Sequence, residues 1–283
     1  MLKKIIATIL LLLSSALSAE QFQPAFTDTE WTLKTSRIEC LLSQRIDDFG
    51  EAEFSQLAGK PLTLSFSTHS QPAKAKDIIF EVAEAPWQNS EQRQDLLIKP
   101  VHKGQRKFIL NGVHAQQALH HLKEGRFPTI YYKSLHSEQP ITVLMSTVHL
   151  NDYLPDFQQC LQNILPYTFD TIKKLTINFE VEKSDLGRQE KLALCKLADF
   201  VNADKSVKRI EVSGHTDNHG RRKLNEALSE ARALTVKQHL IGQCNVAENL
   251  ITVLHYLEFK PVKSNKTPVG RSFNRRAEIN VIR

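Results

Sequence analysis

The chain has 283 residues, a formal charge of +6 at pH 7, 24% charged and 41% hydrophobic residues, the composition of a folded globular protein and not of a disordered or fibrous one. Its basic excess is spread along the sequence without a dense Lys/Arg block, which argues against nucleic acid as the main partner and suits an acidic cell-wall polymer. No G-x-S-x-G, H-E-x-x-H or C-x-x-C run occurs, so the usual signatures of a serine hydrolase, a zinc peptidase or a zinc ribbon are missing, and neither a cofactor nor a metal is expected.

Met1-Leu2-Lys3-Lys4, the apolar run Ile5 to Leu13 and the small residues Ser14 to Ala19 describe a secretory signal peptide over 1–19, cut after Ser18 or Ala19. The run is too short to span a bilayer, and no later segment reaches the length of a transmembrane helix. Loss of Lys3 and Lys4 lowers the charge from +6 to +4. Export puts the four cysteines, Cys40, Cys160, Cys195 and Cys244, into an oxidising compartment. Their placement predicts the bridges Cys40–Cys160 and Cys195–Cys244, one in each domain; a zinc site is the alternative, without supporting spacing.

From 20 to 150 short apolar runs alternate with Pro, Gly and Asn: Leu62 to Phe66, Ile79 to Glu81, Leu96 to Ile98, Phe108 to Leu110, Ile130 to Tyr132 and Ile141 to Leu150. This predicts a mostly antiparallel β domain, barrel or sandwich, with one helix, Val113 to Leu122, closed by Gly125. His114, His120 and His121 lie there, but the adjacent pair points to different faces and no carboxylate cluster joins them. A connecting segment, 151–174, holds a short helix between Pro155 and Pro166.

From 175 the order is strand (Leu175 to Val181), helix (Leu186 to Val201), strand (Val207 to Ser213), helix (Arg222 to Ile241), strand (Leu250 to Tyr256), basic loop, strand (Ala277 to Ile282). That β-α-β-α-β-β order predicts an α/β sandwich with both helices on one face of a mixed sheet. Between the second strand and second helix stands Gly214-His215-Thr216-Asp217-Asn218-His219-Gly220. Helical spacing sets Asn225, Ser229 and Arg232 on one face, and Leu224, Leu228, Ala231, Thr235 or Val236, and Leu240 on a core stripe. Asp217 then sits in a loop before a helix N-terminus. A zwitterion could give its ammonium to Asp217 and its carboxylate to Arg232 and the loop amides, both groups being read as exposed.

The run G-H-T-D-x-x-G-x-x-x-x-N-x-x-L-S-x-x-R-A, Gly214 to Ala233, resembles the signature of OmpA-like peptidoglycan-binding domains. Asn265-Lys266-Thr267, Gly270-Arg271 and Asn274-Arg275-Arg276 match that family's second motif at the right distance. The resemblance implies the OmpA-like fold over 175–283 and a diaminopimelate site on the stem peptide of peptidoglycan, with Asp217, Arg232, Thr216, Asn225 and Arg275 as its residues. Three positions depart from the pattern: His255 and Leu257 flank Tyr256 where glycines are usual, and Glu180 follows Phe179 where Asp is usual.

Ile38 to Leu42, Asp48 to Phe54, Gly125 to Thr129 and Cys160 to Asp170 are similar to the MotY family of sodium-type polar flagellar motors. That resemblance implies a periplasmic, non-enzymatic T-ring component. Its first domain, 20–150, would associate with the flagellar basal body and stator proteins in a ring assembly, and its second would grip the wall. A generic periplasmic or outer-membrane-associated peptidoglycan anchor without flagellar role is the alternative.

Overall fold

The computed structural model describes residues 20–25, 27, 29–84 and 92–283; the expected signal peptide lies outside the described residues. The chain divides into two compact units. The first takes the residues up to Thr32, Ser43–Phe54 and Thr63–Asp152, and the second takes Leu33–Leu42, Ser55–Leu62 and Tyr153–Arg283.

The N-terminal region contains β1 (Glu20–Phe22), β2 (Trp31–Thr35), β3 (Glu39–Ile46), β4 (Gly50–Leu57), β5 (Thr63–Thr68), β6 (Lys76–Ala83), β7 (Arg93–Val101), β8 (Lys107–Asn111), α1 (Val113–Lys123), β9 (Phe127–Lys133) and β10 (Pro140–Leu144). They form two five-stranded sheets, β1-β10-β9-β6-β7 and β2-β3-β4-β5-β8. Among the described residues neither sheet closes into a barrel, so of the two expected forms the sandwich is the one present. Its layers meet through aromatic side chains, with Phe108 and Tyr132 ring centroids 4.6 Å apart and Phe22 and Phe49 5.7 Å apart.

The apolar runs found β5 to β10 but not β1 to β4. In β3 the inward positions include Gln44, fully buried, whose Nε2 donates to Ser146 O at 3.0 Å and whose Oε1 accepts from Ser146 N at 2.7 Å. A satisfied amide at a core position hides the strand's alternation. The run expected to continue to Leu150 ends at Leu144, where the chain leaves the sheet. Helix α1 buries Ala115, Ala118, Leu119 and Leu122, and Gly125, at φ 85°, turns the chain out of it.

The C-terminal region begins with α2 (Leu154–Asn163) and α3 (Phe169–Ile172), then β11 (Lys174–Asn178), α4 (Arg188–Ala203), β12 (Arg209–Gly214), α5 (Arg222–Gly242), β13 (Ile251–His255), α6 (Pro268–Asn274) and β14 (Arg276–Ile282). The sheet order is β11-β14-β12-β13. β14 runs antiparallel to β11 and β12, and β12 runs parallel to β13. One core joins Leu194, Leu197, Ala198 and Val201 of α4 to Ala233, Val236 and Leu240 of α5 over Ile177, Ile210, Val212 and Ile279. Both helices therefore lie on one face of a mixed sheet. The loop expected before the last strand contains α6; Thr267 accepts a hydrogen bond from Gly270 N at 3.0 Å, and Pro268 takes the first helical position.

Disulfides join Cys40 to Cys160 and Cys195 to Cys244. These are the two expected pairs; in the division by compact units, Cys40 and the segment from Tyr153 fall with the second unit. With sequence separations of 120 and 49, the loop-entropy description gives about 5 and about 4 kcal/mol. A chemical reductant is therefore expected to lower the melting temperature substantially. Superimposed melts with and without it would contradict a stapling role.

Candidate functional site

The loop between β12 and α5 is shaped from below. Gly214 lies so close to α5 that a Cβ there would stand 1.8 Å from Ser229 O, which lets the helix settle directly on the strand. The face set against the strand is therefore the small and polar one. Asn225, Ser229 and Arg232 are buried, together with Ala233, Val236 and Leu240. This corrects the expected core stripe: Val236 and Leu240 belong to it, but Leu224 is 64% exposed and, with Leu228 and Ala231, faces a cleft.

Arg232 is fully buried, and its guanidinium serves the backbone. Nε donates to Lys183 O at 3.0 Å, Nη1 to His215 O at 2.7 Å and Nη2 to Glu180 O at 3.2 Å. Its carbon stands 5.2 Å from the centroid of the Phe179 ring. Burial, then the nearby Arg275 charge, lower its pKa to about 10, so it stays charged at neutral pH. The expectation that Asp217 and Arg232 are both exposed is corrected: Asp217 is 7% exposed, and Arg232 ties the end of β12 to the segment after β11.

Asp217 pairs with a different arginine. Its Oδ2 accepts from Arg275 Nη1 at 3.0 Å and its Oδ1 from His219 N at 2.9 Å. Arg275 Nε also donates to Phe179 O at 3.2 Å. Asn225 Nδ2 donates to Asp217 O at 3.3 Å, holding the loop on the helix. Thr216 N donates to Leu257 O at 2.9 Å, and its buried Oγ1 has no hydrogen-bond partner among the described residues. Leu257 reaches that position with φ 50°, in the left-handed region, where the OmpA-like pattern usually has glycine.

Asp217, Thr216, Asn225, Arg232 and Arg275 all line one cleft of about 790 Å³, within the range of about 300–1,000 Å³ typical of ligand sites. The sequence reading missed two parts of it. Arg271, half-buried on α6, lines the cleft and donates to Asn265 O at 3.0 Å; its helix was signalled by Thr267-Pro268. The other is an apolar wall of Val181, Leu224, Leu228 and Pro268. The cleft joins a carboxylate, cationic guanidiniums and apolar surface, which can hold a zwitterion carrying an aliphatic chain.

Behind the loop, His215 is 2% exposed, with Nε2 3.3 Å from Ser213 Oγ. Burial, then the Arg276 charge, push its pKa down to about 4. The folded protein therefore favours the neutral ring. This contribution to stability is present above about pH 6.5, the ordinary histidine value, and is lost as pH falls through the interval down to 4. The shift corresponds to about 3 kcal/mol. Acid titration is expected to show this loss, reduced in His215→Gln; an identical pH dependence in the two proteins would contradict it.

The model of the MotY N-terminal domain matches residues 22–166, and that of the OmpA family matches 178–275. The chain is 26% identical over 272 residues to the sodium-type flagellar protein MotY of Vibrio parahaemolyticus, covering 95% of this chain and 92% of that protein. It is 40% identical over 88 residues to the peptidoglycan-binding protein ArfA of Mycobacterium bovis, covering 31% of this chain and 26% of that protein. Among solved structures, the C-terminal domain of Helicobacter pylori MotB is similar at 26% identity and a TM-score of 0.36, covering 38% of this chain and 84% of that chain. With half of its length matched by one family model and an OmpA-family domain following, the chain belongs to the MotY family.

Proposed function

We propose that this protein is a non-enzymatic component of the flagellar motor that holds the cell wall, acting in the periplasm beside the basal body. The observation that carries the reading is the Asp217–Arg275 pair in the cleft of an OmpA-family domain that follows a MotY N-terminal domain. Asp217 takes the ammonium of a diaminopimelate side chain in the stem peptide, and Arg275 with Arg271 takes its carboxylate. Thr216 and Asn225 hold the loop in register, and Arg232 fixes the carbonyls beneath it.

The N-terminal domain associates with the basal body and the stator, and copies arranged as a ring combine many weak wall contacts through effective concentration. The relative named as a flagellar protein matches 95% of this chain, and the relative named as peptidoglycan-binding matches 88 residues of it. A strain lacking the protein is expected to build filaments but not swim, and its purified basal bodies to lack the ring this protein forms. Normal swimming in that strain would contradict the motor role and leave a general wall anchor.

A further inference from the structure

From Phe259 to Phe273 the chain carries Lys260, Lys263, Lys266 and Arg271 and no Asp or Glu. Arg221, Arg222 and Lys223 lead into α5, and the Arg222 guanidinium carbon stands 5.6 Å from the centroid of the Phe259 ring, which brings the two basic segments together. The ion pairs at this end of the domain, Asp217 with Arg275 and Glu278 with Arg276, leave all of these cations unpaired among the described residues.

The loop that carries them is braced from beneath. Fully buried Asn274 accepts through Oδ1 from Val262 N at 2.9 Å and Lys263 N at 3.1 Å, and donates from Nδ2 to Lys263 O at 2.8 Å. Buried Arg276 donates from Nη2 to Lys260 O at 3.0 Å. Gly270 lies so close to the loop that a Cβ there would stand 1.9 Å from Ser264 O. The side chains left outside alternate between apolar and cationic. Phe259, Val262 and Val269 are 61%, 52% and 67% exposed, among the exposed Lys260, Lys263 and Lys266. Exposed apolar side chains usually stand singly; three on one fixed, acid-free loop mark an interaction surface.

We propose that the loop from Phe259 to Val269, with Arg221 to Lys223, docks the C-terminal domain on an anionic phospholipid bilayer. The lysines and arginines face the headgroup phosphates, while Phe259, Val262 and Val269 enter the boundary between headgroups and acyl chains. Charge complementarity fixes the sign of the partner, and the protruding apolar tips favour a bilayer over the wall polymer, which supplies carboxylates without an apolar layer to receive them. The surface is separate from the Asp217–Arg275 pair and acts whether or not that cleft is filled.

The test sediments the full chain, disulfides intact, with vesicles of equal parts phosphatidylcholine and phosphatidylglycerol, and with vesicles of phosphatidylcholine alone. Binding is expected to the first and not to the second, and to fall as salt rises. Lys263→Gln with Lys266→Gln, and separately Phe259→Ser with Val262→Ser, are each expected to weaken it at least about tenfold. Melting should stay unchanged in both, because all four side chains are exposed. Both variants should still sediment with purified peptidoglycan, whereas Asp217→Asn should keep its vesicle binding, so the two surfaces fail separately. No binding to the anionic vesicles, or equal binding to both kinds, would overturn the proposal. Vesicle binding unaffected by Phe259→Ser with Val262→Ser would overturn it too, leaving only an attraction of charges, and loss of peptidoglycan in place of vesicles by the lysine variant would give the surface to the wall.

Discussion

Asp217→Asn is expected to leave the protein folded and to weaken its sedimentation with purified peptidoglycan about 10- to 100-fold. The substitution keeps the shape of the side chain and the turn to His219, but removes the charge that faces both Arg275 and an incoming ammonium. A charge-assisted hydrogen bond contributes about 1.5–3 kcal/mol, and each 1.4 kcal/mol is tenfold in affinity. Arg275 keeps its bond to Phe179 O, so melting should move by only a few degrees. Competition by free diaminopimelate should mimic the variant in the wild-type protein. Wild-type sedimentation by Asp217→Asn would remove the carboxylate from the site.

Arg232→Leu is expected to act through the fold. It strands the carbonyls of Glu180, Lys183 and His215, each of which now accepts from the buried guanidinium, the His215 bond fully buried and the other two partly so. An orphaned buried acceptor costs about 1–3 kcal/mol, and breaking a buried charged network about 3–5 kcal/mol. The C-terminal domain should melt about 10 °C lower. Arg232→Lys should recover little of this, because a single ammonium cannot reach three carbonyls held by a planar fork. Unchanged melting in Arg232→Leu, with binding lost, would make Arg232 a ligand contact and not a scaffold.

The contrast between these two residues marks what was legible in the sequence. Helical spacing set Asn225, Ser229 and Arg232 on one face, and the structure keeps them together there. Periodicity alone gave the inward side to Leu224, Leu228 and Ala231, because an apolar stripe is the ordinary core face. What decides otherwise is non-local. Gly214 brings β12 against Ser229, and the carbonyls that satisfy Arg232 come from residues 180, 183 and 215, a convergence that no local window contains. Asp217 was legible as a loop carboxylate, but its partner Arg275 is contributed from the end of α6, 58 residues away.

In the N-terminal domain the limit was different. β8 alternates cleanly, with Phe108 and Leu110 inward. β3 places the polar Gln44 among its inward residues and so loses its signature. The helix α6 was present in the letters, since Thr267-Pro268 is a cap followed by a first-turn proline, but its seven residues are too few for a periodic pattern.

The most direct test of the account is the swimming speed of a strain lacking this protein when it is supplied with either the wild-type or the Asp217→Asn chain at matched levels. The account predicts that the wild-type chain restores swimming while Asp217→Asn, folded and equally abundant, does not. Full swimming with Asp217→Asn would contradict the claim that the motor is held through this site.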